Sequence, residues 1–228
     1  FRVLAQARDP DVPVLERLRY LTIVSNNLDE YFEVRVAVLK HKHALGAATP
    51  GADGLSSSEI LARIRQRTLE LVAEVYAIWR DELGPALGAE GIRYLTRDQW
   101  TDKQKRWLLG YFQNEIQPVL SPLGLDPSHP FPRILNKTLN LAVVLEGRDA
   151  FGREGHMALV RAPRSLPRII KLPAEVSEGD GDFVFLAEVL QAFADEIFPG
   201  FDVCASYQFR VTRNSELVVE EAEVENLA

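Results

Sequence analysis

Apolar residues recur at helical spacing through the first hundred residues. Val14, Leu15, Leu18 and Leu21 fall on one face, and Leu28, Tyr31, Phe32, Val36 and Leu39 fall on another, the period of an amphipathic helix. Between the two runs stand Ser25, Asn26 and Asn27, followed at once by Asp29 and Glu30. Asparagine competes with the backbone for hydrogen bonds and is poor in a helix interior. The pattern therefore predicts a break between two helices, with both carboxylates in the first turn of the second, where the helix dipole favours them. Gly46 to Gly54, containing Pro50, reads as a loop. Ser58 then precedes a helix reaching roughly Leu83. It carries one stripe through Leu61, Ile64, Leu71, Val75 and Ile78, and a second through Leu69, Val72, Tyr76, Trp79 and Leu83. So broad an apolar arc predicts two neighbouring helices, and an antiparallel three-helix bundle is the simplest arrangement. Gly84, Pro85, Gly88 and Gly91 are expected to close it.

The second half changes period. Ile92–Leu95 is a short strand candidate, and Thr101-Asp102 opens a helix carrying Trp107, Leu108, Tyr111 and Phe112. Leu139, Leu141, Val143 and Leu145 alternate with less apolar positions, as do Tyr207, Phe209 and Val211. Such alternation predicts strands with one face on a core. Met157–Val160 and Phe183–Phe185 are further candidates, and Leu186 to Phe198 reads as an amphipathic helix. The fold class expected is α+β: an N-terminal antiparallel helical bundle over residues 1–100, then an α+β domain over 101–228 with a mainly antiparallel sheet and helices on one side.

Composition changes this picture little. Of 228 residues, 46% are hydrophobic and 26% charged, ordinary for a globular protein. No apolar run is long enough to cross a membrane, and the lone Cys204 fits a reducing compartment. Together these suggest a cytoplasmic protein, with peripheral association with the inner membrane left open. The net charge of −7 argues against nucleic acid as a partner.

The chemistry is sparse. No Gly-x-x-x-x-Gly-Lys-Ser/Thr loop and no Gly-x-Gly-x-x-Gly fingerprint is present. The stretch Glu178-Gly179-Asp180-Gly181-Asp182 reads as a solvated acidic turn. His41 and His43, with Lys40 and Lys42, read as a basic helix end. His129 sits in a proline-rich turn. Arg161, Arg164, Arg168 and Lys171 cluster around Pro163 and Pro167, either as a phosphate patch or as an edge strand guarded by charge and proline. Asn27, three residues before Glu30, approaches a capping box. An outward-facing asparagine amide instead matches the N6/N7 edge of adenine. The spacing does not choose between Asn26 and Asn27.

The run Leu15–Leu21 leading into Ser25-Asn26-Asn27-Leu28-Asp29-Glu30-Tyr31-Phe32-Glu33-Val34-Arg35-Val36 resembles the N-terminal domain of bacterial polyphosphate kinases, which make long-chain polyphosphate from ATP. Val119–Leu123 with Asp126–Pro132, and Phe209–Asn214, resemble the same family in the same order. The resemblance implies the N-terminal and head domains of such an enzyme, with reversible transfer of the terminal phosphate of ATP to polyphosphate. It implies that Asn27 contacts the ATP base and that the protein is a homo-oligomer. The phosphorylated histidine and the Mg2+ ligands are implied to lie in C-terminal domains outside this chain. Their His-x-Lys signature is missing here, so the chain alone is expected to be inactive and to hold no catalytic residue and no metal. The competing class is a non-enzymatic protein-interaction module.

Overall fold

The computed structural model describes residues 2–46, 54–125, 130–147, 157–179 and 181–214. They fall into two compact units, one running to Ala86 and including the residues from Thr212, the other Leu87–Val211.

In the first unit, α1 (Arg2–Arg8) packs on α2 (Val14–Tyr31). A π-turn, Phe32–Val36, joins α2 directly to α3 (Ala37–Ala44). The expected break at Ser25–Asn27 does not occur, and the helix runs straight through. Two mid-helix asparagines cost about 0.5–0.7 kcal/mol each against alanine. Burying Leu21 and Val24 of the same helix contributes about 1.5–3 kcal/mol each, so packing overrides propensity. The phase slip between the two apolar runs is real, but the π-turn produces it.

The next helix, α4 (Ser57–Ala77), begins two residues earlier than expected, with Ser56 rather than Ser58 preceding it. Ser56 caps it: its Oγ accepts from the Glu59 N–H at 3.3 Å, and the Glu59 carboxylate accepts from the Ser56 N–H at 2.9 Å. A second π-turn, Ile78–Leu83, leads into α5 (Gly84–Ala89). Gly84 and Pro85 therefore do not end the helix. The Gly84 N–H reaches back to the Trp79 carbonyl, and proline follows where the ladder is already widened, so its missing N–H disrupts little. Closure comes at Gly91, with φ +79°, a conformation that suits glycine. α3 packs on α4, and α2 on the Ile78–Leu83 turn, so the two long rods run antiparallel. Their core unites Leu4, Ala7, Leu21, Val24, Ile78 and Leu83, with Leu71, Val75 and Trp79 against it. Of the second stripe on the α4 rod only the C-terminal end, Trp79 and Leu83, is covered: Leu69 and Tyr76 are 59% and 64% exposed. Arg17 fastens the layers, donating to the Ala7 carbonyl at 2.8 Å and to Glu82 at 2.7 Å.

The second unit starts ahead of the boundary expected near residue 100, because β1 (Ile92–Tyr94) pairs in parallel with β6 (Gly181–Phe185). β5 (Ile169–Lys171) completes that sheet on the far side of β6. A four-stranded antiparallel sheet has the order β2-β4-β3-β7, formed by β2 (Ser121–Gly124), β3 (Asn140–Glu146), β4 (Met157–Arg161) and β7 (Asp202–Phe209). Thr101 and Gln104 form a capping box for α6 (Asp102–Tyr111), which continues into a third π-turn, Phe112–Ile116. The expected helix over Leu186–Phe198 is divided at Phe193 into α7 (Leu186–Ala192) and α8 (Ala194–Ile197). Leu108, Phe112 and Ile116 meet Leu141, Val143, Val160, Val184 and Leu190 in one core.

The alternation in β7 does not face this core as expected. The pairing with β3 slips between Val144 and Leu145, leaving Cys204 as a bulge. Beyond it Tyr207 pairs with Ala142, on the side away from Leu141 and Val143, and is 63% exposed. The acidic turn is corrected in the same way. Asp182 lies in β6 with 0% exposure, and Arg93 of β1 clasps it with two hydrogen bonds of 2.7 and 2.9 Å.

Candidate functional site

Asn26 and Asn27 are exposed on α2, Asn26 on the side away from the buried Leu21 and Val24 and Asn27 at the margin of that face. Neither is a cap: α2 starts after Pro13, far upstream. The Asn27 side chain makes no hydrogen bond among the described residues, so both its amide donor and its acceptor are unspent. One turn further on stand Glu30 and Tyr31, the latter 39% exposed and edge-on to Phe32, with ring centres 6.0 Å apart. Residues four apart on a helix share a face. Asn27 and Tyr31 therefore offer an amide and an aromatic ring side by side, with the Glu30 carboxylate beside them. Such a set suits a flat, neutral, hydrogen-bonding group better than a phosphate, which Glu30 would repel.

The four-residue spacing of Asp29 and Glu33 is a sequence signal of a shared helix face. Four residues apart, both lie on the covered side of the rod, each nearly inaccessible and each engaged. Asp29 therefore does not share the solvent-facing surface with Glu30, as a shared first helical turn would have it. The π-turn beginning at Phe32 includes Glu33, and π-turns recur at functional positions.

Other candidates are scattered. His41 and His43 are exposed in the last turn of α3. His129 and His156 lie outside the described residues. Among the described residues no group of three or more His, Cys, Asp or Glu side chains could hold a metal ion. No described helix is long and apolar enough to cross a membrane. A cavity of about 650 Å³ in the second unit is lined by Trp107 and Tyr111, stacked at 5.3 Å, and by residues 167–179. Arg161 ends β4, and Arg164 and Arg168 follow in the loop beyond it, whereas Lys171 sits on the outer strand β5 of the other sheet.

Comparison with known proteins covers both units. A family described as the polyphosphate kinase N-terminal domain matches residues 1–95, and one described as the polyphosphate kinase middle domain matches residues 103–228. The polyphosphate kinase of Xylella fastidiosa (strain 9a5c) is 60% identical over 100% of this chain and 33% of its own length. That of Neisseria meningitidis serogroup B is 50% identical over 99% of this chain and 33% of its own. The crystal structure of polyphosphate kinase from Porphyromonas gingivalis superimposes with a TM-score of 0.80 at 31% identity, covering 96% of this chain and 32% of that one. The chain thus spans about a third of the length of the curated relatives it matches.

Proposed function

Because this chain belongs to the polyphosphate kinase family, we propose that it is the N-terminal and middle part of an enzyme that reversibly transfers the terminal phosphate of ATP to polyphosphate. Its own contribution is the wall that receives the adenine. The observation that carries this reading is the unspent Asn27 amide on an uninterrupted, solvent-facing helix surface. The amide donor and acceptor meet the N6/N7 edge of the base, and the Tyr31 ring, on the same face, supplies a surface for stacking. Glu30 keeps the triphosphate pointed away, toward the part of the enzyme beyond this chain. On this reading the phosphorylated histidine and the Mg2+ ligands belong to that part, as the family resemblance implies. The protein acts as a homo-oligomer in the cytoplasm.

Two measurements test this. The chain alone, given ATP, Mg2+ and a polyphosphate primer, is expected to make no polyphosphate, and sustained turnover would refute the division of labour. In the full-length enzyme, Asn27→Ala is expected to weaken ATP use about tenfold, for the loss of a hydrogen bond worth about 1–1.5 kcal/mol. Thermal melts separate the roles. Removing a capping asparagine would cost about 1 kcal/mol. Replacing an exposed mid-helix asparagine with alanine should instead raise stability by about 0.5 kcal/mol. A variant that melts higher but uses ATP poorly supports the base contact. Unchanged ATP dependence would remove it.

A further inference from the structure

Charge is unevenly placed in this acidic chain. Segments 117–125, 130–141, 157–168 and 203–211 contain Arg133, Lys137, Arg161, Arg164, Arg168 and Arg210, and no aspartate or glutamate. The fold gathers parts of all four at one end of the four-stranded sheet. Ser121, Arg161, Asn140 and Phe209 form the last row of the ladder. Just beyond it Arg164 donates to the Asn136 carbonyl at 3.2 Å, and the Lys137 N–H donates to the Val211 carbonyl at 2.8 Å.

A groove of about 370 Å³ opens there, walled by Ser121, Thr138, Arg161 and Arg164, with Leu123 and Leu135 on its apolar side. Arg168 reaches the carbonyl of Ala162 in the groove wall at 3.3 Å, while its other terminal nitrogen is buried with no partner. Burial, and then the neighbouring Arg164 charge, push the Arg168 guanidinium below its usual range. Among the described residues no carboxylate pairs with Arg161, Arg164 or Arg168. The edge-strand explanation does not apply to Arg161, Arg164 and Arg168. β4 lies between β2 and β3 in the sheet, and both other arginines lie off the strands.

We propose that this groove, with Arg161 and Arg164 in its wall and Arg168 behind them, binds the phosphate chain of polyphosphate. The inference rests on the polyphosphate reading above. Guanidinium groups match phosphate oxygens with paired, charge-assisted hydrogen bonds, and two in one groove wall suit a ligand carrying a charge at each phosphate. Among the described residues no aromatic side chain lines the groove, which disfavours single-stranded nucleic acid, whose bases stack on aromatic rings.

The test titrates this chain at low salt with long linear polyphosphate, inorganic phosphate and single-stranded RNA. Polyphosphate is expected to bind, to lose affinity as salt rises, and to bind about ten- to a hundredfold more weakly to Arg164→Glu, as for hydrogen bonds between charged groups. Arg164 is exposed, so this variant should melt like the parent, and Arg164→Lys should recover part of the affinity. Absent binding, binding indifferent to Arg164→Glu, or equal affinity for RNA would each overturn the assignment. Polyphosphate synthesis by the full-length enzyme is measured alongside. If it proceeds while this chain binds no polyphosphate, the groove assignment alone falls. If the full-length enzyme makes none, the kinase reading falls and takes the groove with it.

Discussion

Replacing Arg93 with methionine is expected to destabilise the second unit by about 2–4 kcal/mol at neutral pH. Breaking a buried ion pair on one side costs about 3–5 kcal/mol; the lower range here reflects an Arg93 side chain 36% exposed and so partly screened by solvent. Asp182 has no such relief. Its carboxylate is buried in β6, held by Arg93, by the Glu178 N–H at 2.9 Å and by Gln104 at 3.4 Å. Burial would raise its pKa, but the hydrogen bonds from Arg93, the Glu178 N–H and Ser177 outweigh it and hold the group below the ordinary aspartate value. A carboxylate depressed on folding contributes stability above its unfolded pKa and loses it as pH falls through the folded value. In the variant the largest lowering contribution is gone and burial is opposed by fewer hydrogen bonds, so the folded pKa lies higher than in the parent. Protonation on acidification then costs the variant less than the parent. Denaturant unfolding across acidic pH should show the widest gap near neutrality, closing on acidification. A gap constant with pH would mean that the pair's charge is not what stabilises the β1–β6 junction.

Phe112→Ala should cost the same unit about 3–5 kcal/mol, the range for emptying a large buried aromatic site. Phe112 is fully buried where α6 passes into its π-turn, against Phe193 with ring centres 5.5 Å apart. Residues from α6, both sheets and α7 meet in the same core, so no single element can move in to fill the void. The melting temperature of this unit should fall by about 10–20 °C. Phe112→Leu, which keeps most of the volume, should lose well under half as much. A drop of only a few degrees for alanine would show that the core collapses around the missing ring.

The helices, most strands and the caps at Ser56 and Thr101 lie near where local patterns place them, because capping and alternation are short-range. What escaped the sequence reading depends on partners far along the chain. Asp182 looked like a solvated turn residue because its counter-charge, Arg93, lies 89 positions away. The outward turn of Tyr207 follows from a one-residue bulge at Cys204, which leaves the alternation itself unbroken. The arginines after β4 could be read as edge protection because strand order is not written in local sequence. At Asn27 the slip in apolar phase was legible, but a chain break and a π-turn leave the same trace. Only the continuous helix shows that the amide faces solvent rather than closing a terminus.

The Phe32–Val36 turn also bears on how this rod tolerates changes in length. A π-turn accommodates one residue more than an α-turn, and each helical residue contributes about 100° of rotation. Insertions and deletions ordinarily settle in loops, yet a single residue can be gained or lost here without cutting the helix. The consequence is that the slip is absorbed locally. Dropping one residue between positions 32 and 36 would return the π-turn to ordinary α-helix, and the residue lost and the rotation regained nearly cancel, so Asn27 before the turn and His41 and Lys42 beyond it would keep their present faces. Gaps between related chains can therefore fall inside this helix while both halves of the rod keep their direction and the ladder stays whole.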